Sequence, residues 1–130
     1  MIAFHLDSRS GVPAYLQLVQ QVRQAIRLGM LCPGDQLPTV KEVVASLTIN
    51  PNTVLHAYRQ LDLEGLVEGR QGVGTFVAAD AVTLPPDEVK LLRSSLDRWI
   101  TRARAAGLDE ESMFALFADS VRPASLVRVA

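Results

Sequence analysis

The side chains able to do chemistry fall in three places. Asn52, Thr53, His56 and Arg59 follow one another closely after Asn50-Pro51, with Leu55 among them. At 100° per residue a helix puts Asn52, His56 and Arg59 on one face and Thr53 and Leu55 on its flanks. An asparagine amide there offers the paired donor and acceptor that fit an adenine edge, and a leucine offers only an apolar surface suited to a thymine methyl. Thr53, with the helix N-terminus, can hold a phosphate. His56 points to a nucleic-acid backbone contact. The second place is Lys41, a cation in a short helix just upstream, which with Arg59, Arg70 and Arg9 makes a set of candidate phosphate contacts. The third is Gly69-Arg70-Gln71-Gly72-Val73-Gly74. Its glycines, Gly72 among them, let a main chain come close to phosphates, and Gln71 is placed to touch a base. A nucleotide loop would need Gly-Lys-Ser/Thr followed by a helix, and a strand follows here instead.

Catalysis is not indicated. Cys32 is the single cysteine, and His5 and His56 lie far apart, so no zinc site and no internal disulfide are expected. No nucleophile–base pair and no cofactor motif is present. We therefore expect neither an enzyme nor a bound metal or cofactor.

The elements that must position these groups are readable from spacing. A helix is expected from about Pro13 to Leu28, with Pro13 in the first turn, a stripe of Leu16, Val19, Val22 and Ile26, and Gly29 as its stop. Thr39-Val40-Lys41-Glu42 reads as a capping box opening a short helix to Ser46. After a tight turn at Thr48-Ile49-Asn50, Asn50 caps a third helix with Pro51 at its first position. That helix runs to about Glu64 with an inner stripe of Val54, Ala57, Tyr58 and Leu61. Strands are expected at Leu66–Glu68 and Thr75–Val77, joined by the glycine-rich tip. Three helices, a tight turn between the second and third, then a hairpin, make a winged helix-turn-helix.

The chain has 130 residues and 14.2 kDa, enough for one domain with a small appendage. Its hydrophobic fraction is 48% and its mean hydropathy +0.18, which fits a folded chain. Aromatics are 5%, so the core must be aliphatic. No apolar run is long enough to span a membrane and no secretory leader is visible, so a cytoplasmic protein is expected. The net charge of −1 is unlike a simple basic nucleic-acid binder. Residues 1–80 hold six Lys or Arg and seven Asp or Glu, so the distribution of charge has to carry any binding. Asp62, Glu64 and Glu68 gather at the far end of the third helix and leave its beginning locally positive.

We divide the chain into a winged helix-turn-helix over 1–80, a linker over 81–86 containing Pro85-Pro86, and a helical region over 87–130. The last holds two helices, about Asp87–Ala106 and Glu110–Val121, separated by Gly107 and capped by Asp109. A two-helix hairpin of about 40 residues is too small to stabilise itself. Its apolar residues Val89, Leu92, Leu96, Trp99, Ile100, Met113, Phe114 and Phe117 are expected to form a dimer interface with a second copy. The expected fold is thus mainly α with a small β-hairpin: an N-terminal winged helix-turn-helix and a C-terminal two-helix dimerisation hairpin.

Several segments resemble the GntR family of bacterial transcription regulators. They are Pro13-Ala14-Tyr15, the run from Gly29 to Pro38, Asn50-Pro51-Asn52-Thr53-Val54, Ala57-Tyr58, Leu61, Glu64-Gly65-Leu66 and Gly72-Val73-Gly74-Thr75-Phe76-Val77. The resemblance covers about residues 8 to 79, and the short tail is similar to the YtrA-type subfamily, whose C-terminal part is a small helical dimerisation unit. Lys41 stands where the family usually has arginine, and Leu55 where a basic or polar residue is common. The resemblance implies a homodimeric transcription regulator, in the first instance a repressor, on an inverted-repeat operator of double-stranded DNA. It also implies control of its own operon and of a neighbouring transporter. It names no small-molecule effector. The alternative from the residues themselves is a winged-helix protein-interaction module without a DNA target, which the near-neutral charge favours.

Overall fold

The computed structural model describes residues 2–122. Residues 123–130, the end of the expected dimerisation region, lie outside them. The chain divides into two compact units, Met1–Val89 and Lys90–Ala130.

In the first unit, α1 (Ala14–Arg27), α2 (Val40–Leu47) and α3 (Pro51–Leu63) precede a two-stranded antiparallel sheet of β1 (Val67–Arg70) and β2 (Gly74–Val77). Pro13, expected inside the first turn of α1, stands just before it at the N-cap. There its carbonyl accepts the Leu16 and Gln17 N–H groups at 3.0 and 3.1 Å. The buried stripe of α1 is broader than expected: Leu18 and Ala25 are buried with Val19, Val22 and Ile26, while Leu16 is half-buried. A helix packed into a globular core buries a face more than 100° wide, and a four-residue seam samples only part of it. Gly29 ends α1 as expected. Its φ of +75° lets the Met30 N–H turn back to the Ala25 carbonyl at 2.7 Å.

The helix-turn-helix is built from local signals. The Glu42 N–H donates to the Thr39 hydroxyl at 3.1 Å, and the Thr39 N–H donates to the Glu42 carboxylate at 2.9 Å, closing the capping box of α2. The same two bonds hold the Glu42 carboxyl below its ordinary range. α2 ends at Thr48 in the left-handed region, φ 55°, an unusual conformation for a β-branched residue. Asn50 then caps α3, its Oδ1 accepting the Asn52 N–H at 2.8 Å.

α3 is the hub, packing against α1, α2 and β1. Val54, Ala57, Tyr58 and Leu61 are all buried. The Tyr58 hydroxyl donates to the Pro38 carbonyl, tying α3 to the residue that precedes the α2 cap. Burial first, and the Glu42 charge second, push the Tyr58 phenol well above its ordinary value.

The strands are longer than expected and take in Gly69, Arg70 and Gly74. The tip shrinks to Gln71-Gly72-Val73, closed by the Val73 N–H on the Arg70 carbonyl at 2.9 Å. Gly72, with φ +75° at the third position of this turn, has the conformation a type II turn requires. A hairpin this short is marginal alone. It gains a neighbour on the free edge of β2. Leu37 N–H meets the Thr75 carbonyl at 2.8 Å, Val77 N–H the Asp35 carbonyl at 2.8 Å, and Gly34 N–H the Val77 carbonyl at 2.9 Å.

Past the hairpin, Ala81 packs on the first unit's core and the Leu84 N–H donates to the Arg27 carbonyl at 2.9 Å. These residues of the expected linker are therefore fastened to the first unit. Pro86 is the first residue of α4 (Pro86–Ala105). α4 is followed by a turn at Gly107, φ +97°, and by α5 (Glu110–Val121). Asp109 caps α5 by accepting the Ser112 N–H at 2.8 Å, which lowers its carboxyl from the ordinary range. Among the described residues no helix is long and apolar enough to cross a membrane.

Candidate nucleic-acid interface

α3 has two faces of opposite character. Opposite its buried stripe, Asn52, Leu55, His56 and Arg59 are exposed, and Thr53 is half-buried. Because Asn50 supplies the cap, the Asn52 side chain has no structural duty at the helix start. His56 is not a lone surface group. Its ring stacks on Tyr15 in the first turn of α1, with centroids 3.7 Å apart and planes 13° off parallel. A shallow hollow lined by Ala14, Tyr15, Asn50, Asn52, Thr53 and His56 opens here. Tyr15 is a partner of this face that the periodicity of α3 cannot reveal, since it arrives from another helix. Its only sequence signal is its place inside the Pro13-Ala14-Tyr15 segment.

Lys41 lies exposed in the first turn of α2, and Arg70, Gln71 and Gly72 are exposed on the wing. Among the described residues the ion pairs are Arg23–Glu64 at 2.8 Å and Arg70–Glu68 at 3.6 Å, so Lys41, Arg59 and Arg9 keep their charge unpaired. Arg70 is held along the hairpin, 4.2 Å over the Phe76 ring as well as beside Glu68. Arg23 donates through both Nε and Nη2 to Glu64 and is committed there. The Gln60 amide first, and Arg23 second, hold the Glu64 carboxyl low. The acids are mostly tied internally: Asp35 accepts the Cys32 N–H, Asp7 the Arg9 N–H, and Glu42 and Glu64 their partners above. Lys41, Arg59 and Arg9 are thus exposed cations without an ion-pair partner among the described residues, while Asp7, Asp35, Glu42 and Glu64 accept hydrogen bonds within the fold.

The wing is braced from outside. The Gln36 amide donates to the Val73 carbonyl at 3.3 Å, and a Cβ at Gly74, where φ is +143°, would fall 2.5 Å from Gln36 Nε2. Only glycine leaves room for this brace.

The second unit has its own feature. Ala103 and Met113 are buried, while Leu92, Leu96, Phe114 and Phe117 are exposed and Trp99 and Ile100 half-buried. Leu96, Trp99, Ile100, Met113, Phe114 and Phe117 line an open apolar groove of about 470 Å³, with Arg104 and Glu110 also on its wall. Phe114 is 66% exposed on this groove. Val89 is half-buried and falls in the first unit.

This order of elements, with α3 open on one side and a braced hairpin beside it, is a winged helix-turn-helix, the architecture of a DNA-binding transcription regulator. The signature of bacterial regulatory proteins of the gntR family matches residues 14–77, from the first turn of α1 to the end of β2. The chain is 36% identical over 109 residues to the HTH-type transcriptional repressor YtrA of Bacillus subtilis, covering 83% of this chain and 84% of that one. It also resembles the solved structure of YtrA from Sulfolobus acidocaldarius, a GntR-family transcription factor. There the TM-score is 0.54 and the identity 30%, over 91% of this chain and 96% of that one. The DNA-binding domain of AraR in complex with operator ORX1 superposes with a TM-score of 0.51 at 28% identity, over 59% of this chain and 93% of that domain. The chain belongs to the GntR family, in its YtrA-type branch.

Proposed function

We propose that this regulator is a cytoplasmic homodimeric repressor that binds an inverted-repeat operator in double-stranded DNA. The observation that carries the reading is the division of α3 into a buried stripe and an exposed face bearing Asn52, Leu55 and His56 in its N-terminal half and Arg59 just past its middle. The N-terminal half of a recognition helix meets base edges in the major groove. Asn52 reads an adenine and Leu55 packs on a thymine methyl. Thr53, His56, Lys41 and Arg59 hold backbone phosphates. The wing runs along the flanking backbone with Arg70 and Gly72, and Gln71 reaches a base. Two copies join through the apolar faces of α4 and α5, with Val89, Leu92, Leu96, Trp99, Ile100, Phe114 and Phe117 at the contact and Met113 as the groove floor. A two-fold dimer demands a two-fold operator. The relative from Bacillus subtilis is named a repressor and the AraR domain was solved on operator DNA, which supports the reading. Its own operon, with the genes of a neighbouring transporter, is the proposed target.

The test is a titration of the chain against the DNA upstream of its own gene and against a scrambled duplex of the same length. Binding to the first at nanomolar concentration, with a footprint over an inverted repeat, supports the reading. Equal binding to both duplexes refutes a specific operator, and binding to neither makes the domain a protein-interaction module instead.

A further inference from the structure

The geometry points to Tyr15 and His56 acting as one proton-linked DNA contact: operator binding draws a proton from solvent onto the His56 imidazole, and Tyr15 holds the charged ring in place. This rests on the DNA-binding reading above and adds to it a dependence that the reading does not contain.

Three observations carry it. His56 is exposed on the open face of α3, between Asn52 and Arg59 in helical order, so a duplex on that face lies against its ring. The ring is stacked flat on Tyr15 at 3.7 Å, which fixes the plane in which it lies. The groups that face it are Tyr15 from α1, Arg59 one turn on along α3, and the neutral Ala14, Asn50, Asn52 and Thr53 around the hollow. None of these is an acid. On the DNA-binding reading, a phosphate lying against this ring in the complex favours the imidazolium form. The face of a tyrosine ring also attracts a cation, so the stack strengthens when the imidazole gains its proton. Histidine is the side chain whose charge changes most readily near neutrality, so the dependence is sought there.

The sign follows from linkage. The bound state holds more protons than the free state, so affinity rises as pH falls through neutrality and levels off once both states are charged. A charged form favoured about tenfold by the phosphate limits the gain to about tenfold per chain, of which about sixfold falls between pH 8 and pH 6. The measurement is the operator dissociation constant of the full chain by fluorescence anisotropy, in steps from pH 8 to pH 6 at one fixed salt concentration. The wild type is expected to tighten over that span. His56→Gln, which keeps a hydrogen-bonding side chain but cannot titrate, is expected to lose the pH ratio. His56→Arg, charged throughout, is expected to lose it too. Tyr15→Phe keeps the ring face and should keep the ratio; Tyr15→Leu should shrink it, with melting curves confirming that both variants are folded. His5, the chain's other histidine, is the internal control, since His5→Gln should keep the ratio. Specific operator binding with a flat profile overturns the inference and leaves the DNA reading standing. So does a pH ratio that survives in His56→Gln. No operator binding at any pH overturns both.

Discussion

Replacing Asn52 by alanine separates base reading from folding. The Asn52 N–H is satisfied by Asn50 Oδ1 at 2.8 Å and the Thr53 N–H by the Asn50 carbonyl at 3.0 Å, so neither bond depends on the Asn52 side chain. Alanine is also the better helix former, by a few tenths of a kcal/mol. The variant should therefore melt at or slightly above the wild-type temperature. A base-specific bidentate contact is worth about 1–3 kcal/mol, and a two-fold dimer makes it twice. The loss on operator DNA is about 2–6 kcal/mol, or roughly thirtyfold upward at 1.4 kcal/mol per decade. On a scrambled duplex the change should stay within about threefold, because no phosphate contact is removed. Anisotropy titrations on both duplexes at one salt concentration, with a thermal melt beside them, read all three numbers. Asn50→Ala is the mirror experiment: losing the cap costs about 1 kcal/mol of stability. That lowers the melting temperature by about 4–8 °C in a domain of this size. If Asn52→Ala loses affinity equally on both duplexes, Asn52 is a phosphate ligand and base reading passes to Gln71 and Lys41.

Arg70→Ala should weaken binding to operator and scrambled DNA alike and make the salt slope shallower by about 0.9 per chain, read from affinities at three salt concentrations. Leu96→Asp with Trp99→Asp should give monomers by sedimentation velocity, with operator affinity falling at least a hundredfold. Tyr58→Phe leaves the Pro38 carbonyl without its buried donor and should cost about 1–3 kcal/mol in urea unfolding. Glu42 and Glu64 have carboxyls held low when folded, so the stability they add is present above the ordinary carboxylate range and is lost as pH falls through and below it. Glu64→Gln should flatten part of that acid decline in melts taken from pH 6 to pH 3.

What could be read along the chain divides by distance. The capping box at Thr39 and Glu42, the Asn50-Pro51 helix start and the Gly29 stop each involve residues within a few positions, and each forms as the local chemistry requires. The inner stripe of α3 is complete because α3 is packed on one broad side. Leu18 and Ala25 were not legible, since how wide a face of α1 is buried depends on what surrounds it. The strands ran into Gly69 and Gly74 because β pairing and the outside edge at Gly34–Leu37 outweigh glycine's poor strand preference. The Tyr15–His56 stack and the Arg23–Glu64 pair join residues 41 apart, and only the crossing of α1 and α3 brings them together.

The Arg23–Glu64 pair has a consequence for the living cell. Each cation retired from the pool removes about 0.9 from the salt exponent of DNA binding, whatever the sequence bound. A chromosome presents about a million or more decoy sites, and a highly cationic regulator spends most of its copies parked on them. On the proposed reading, a chain that pairs Arg23 with its own Glu64 idles less on that decoy DNA. On that reading, fewer molecules are then needed to keep one operator filled.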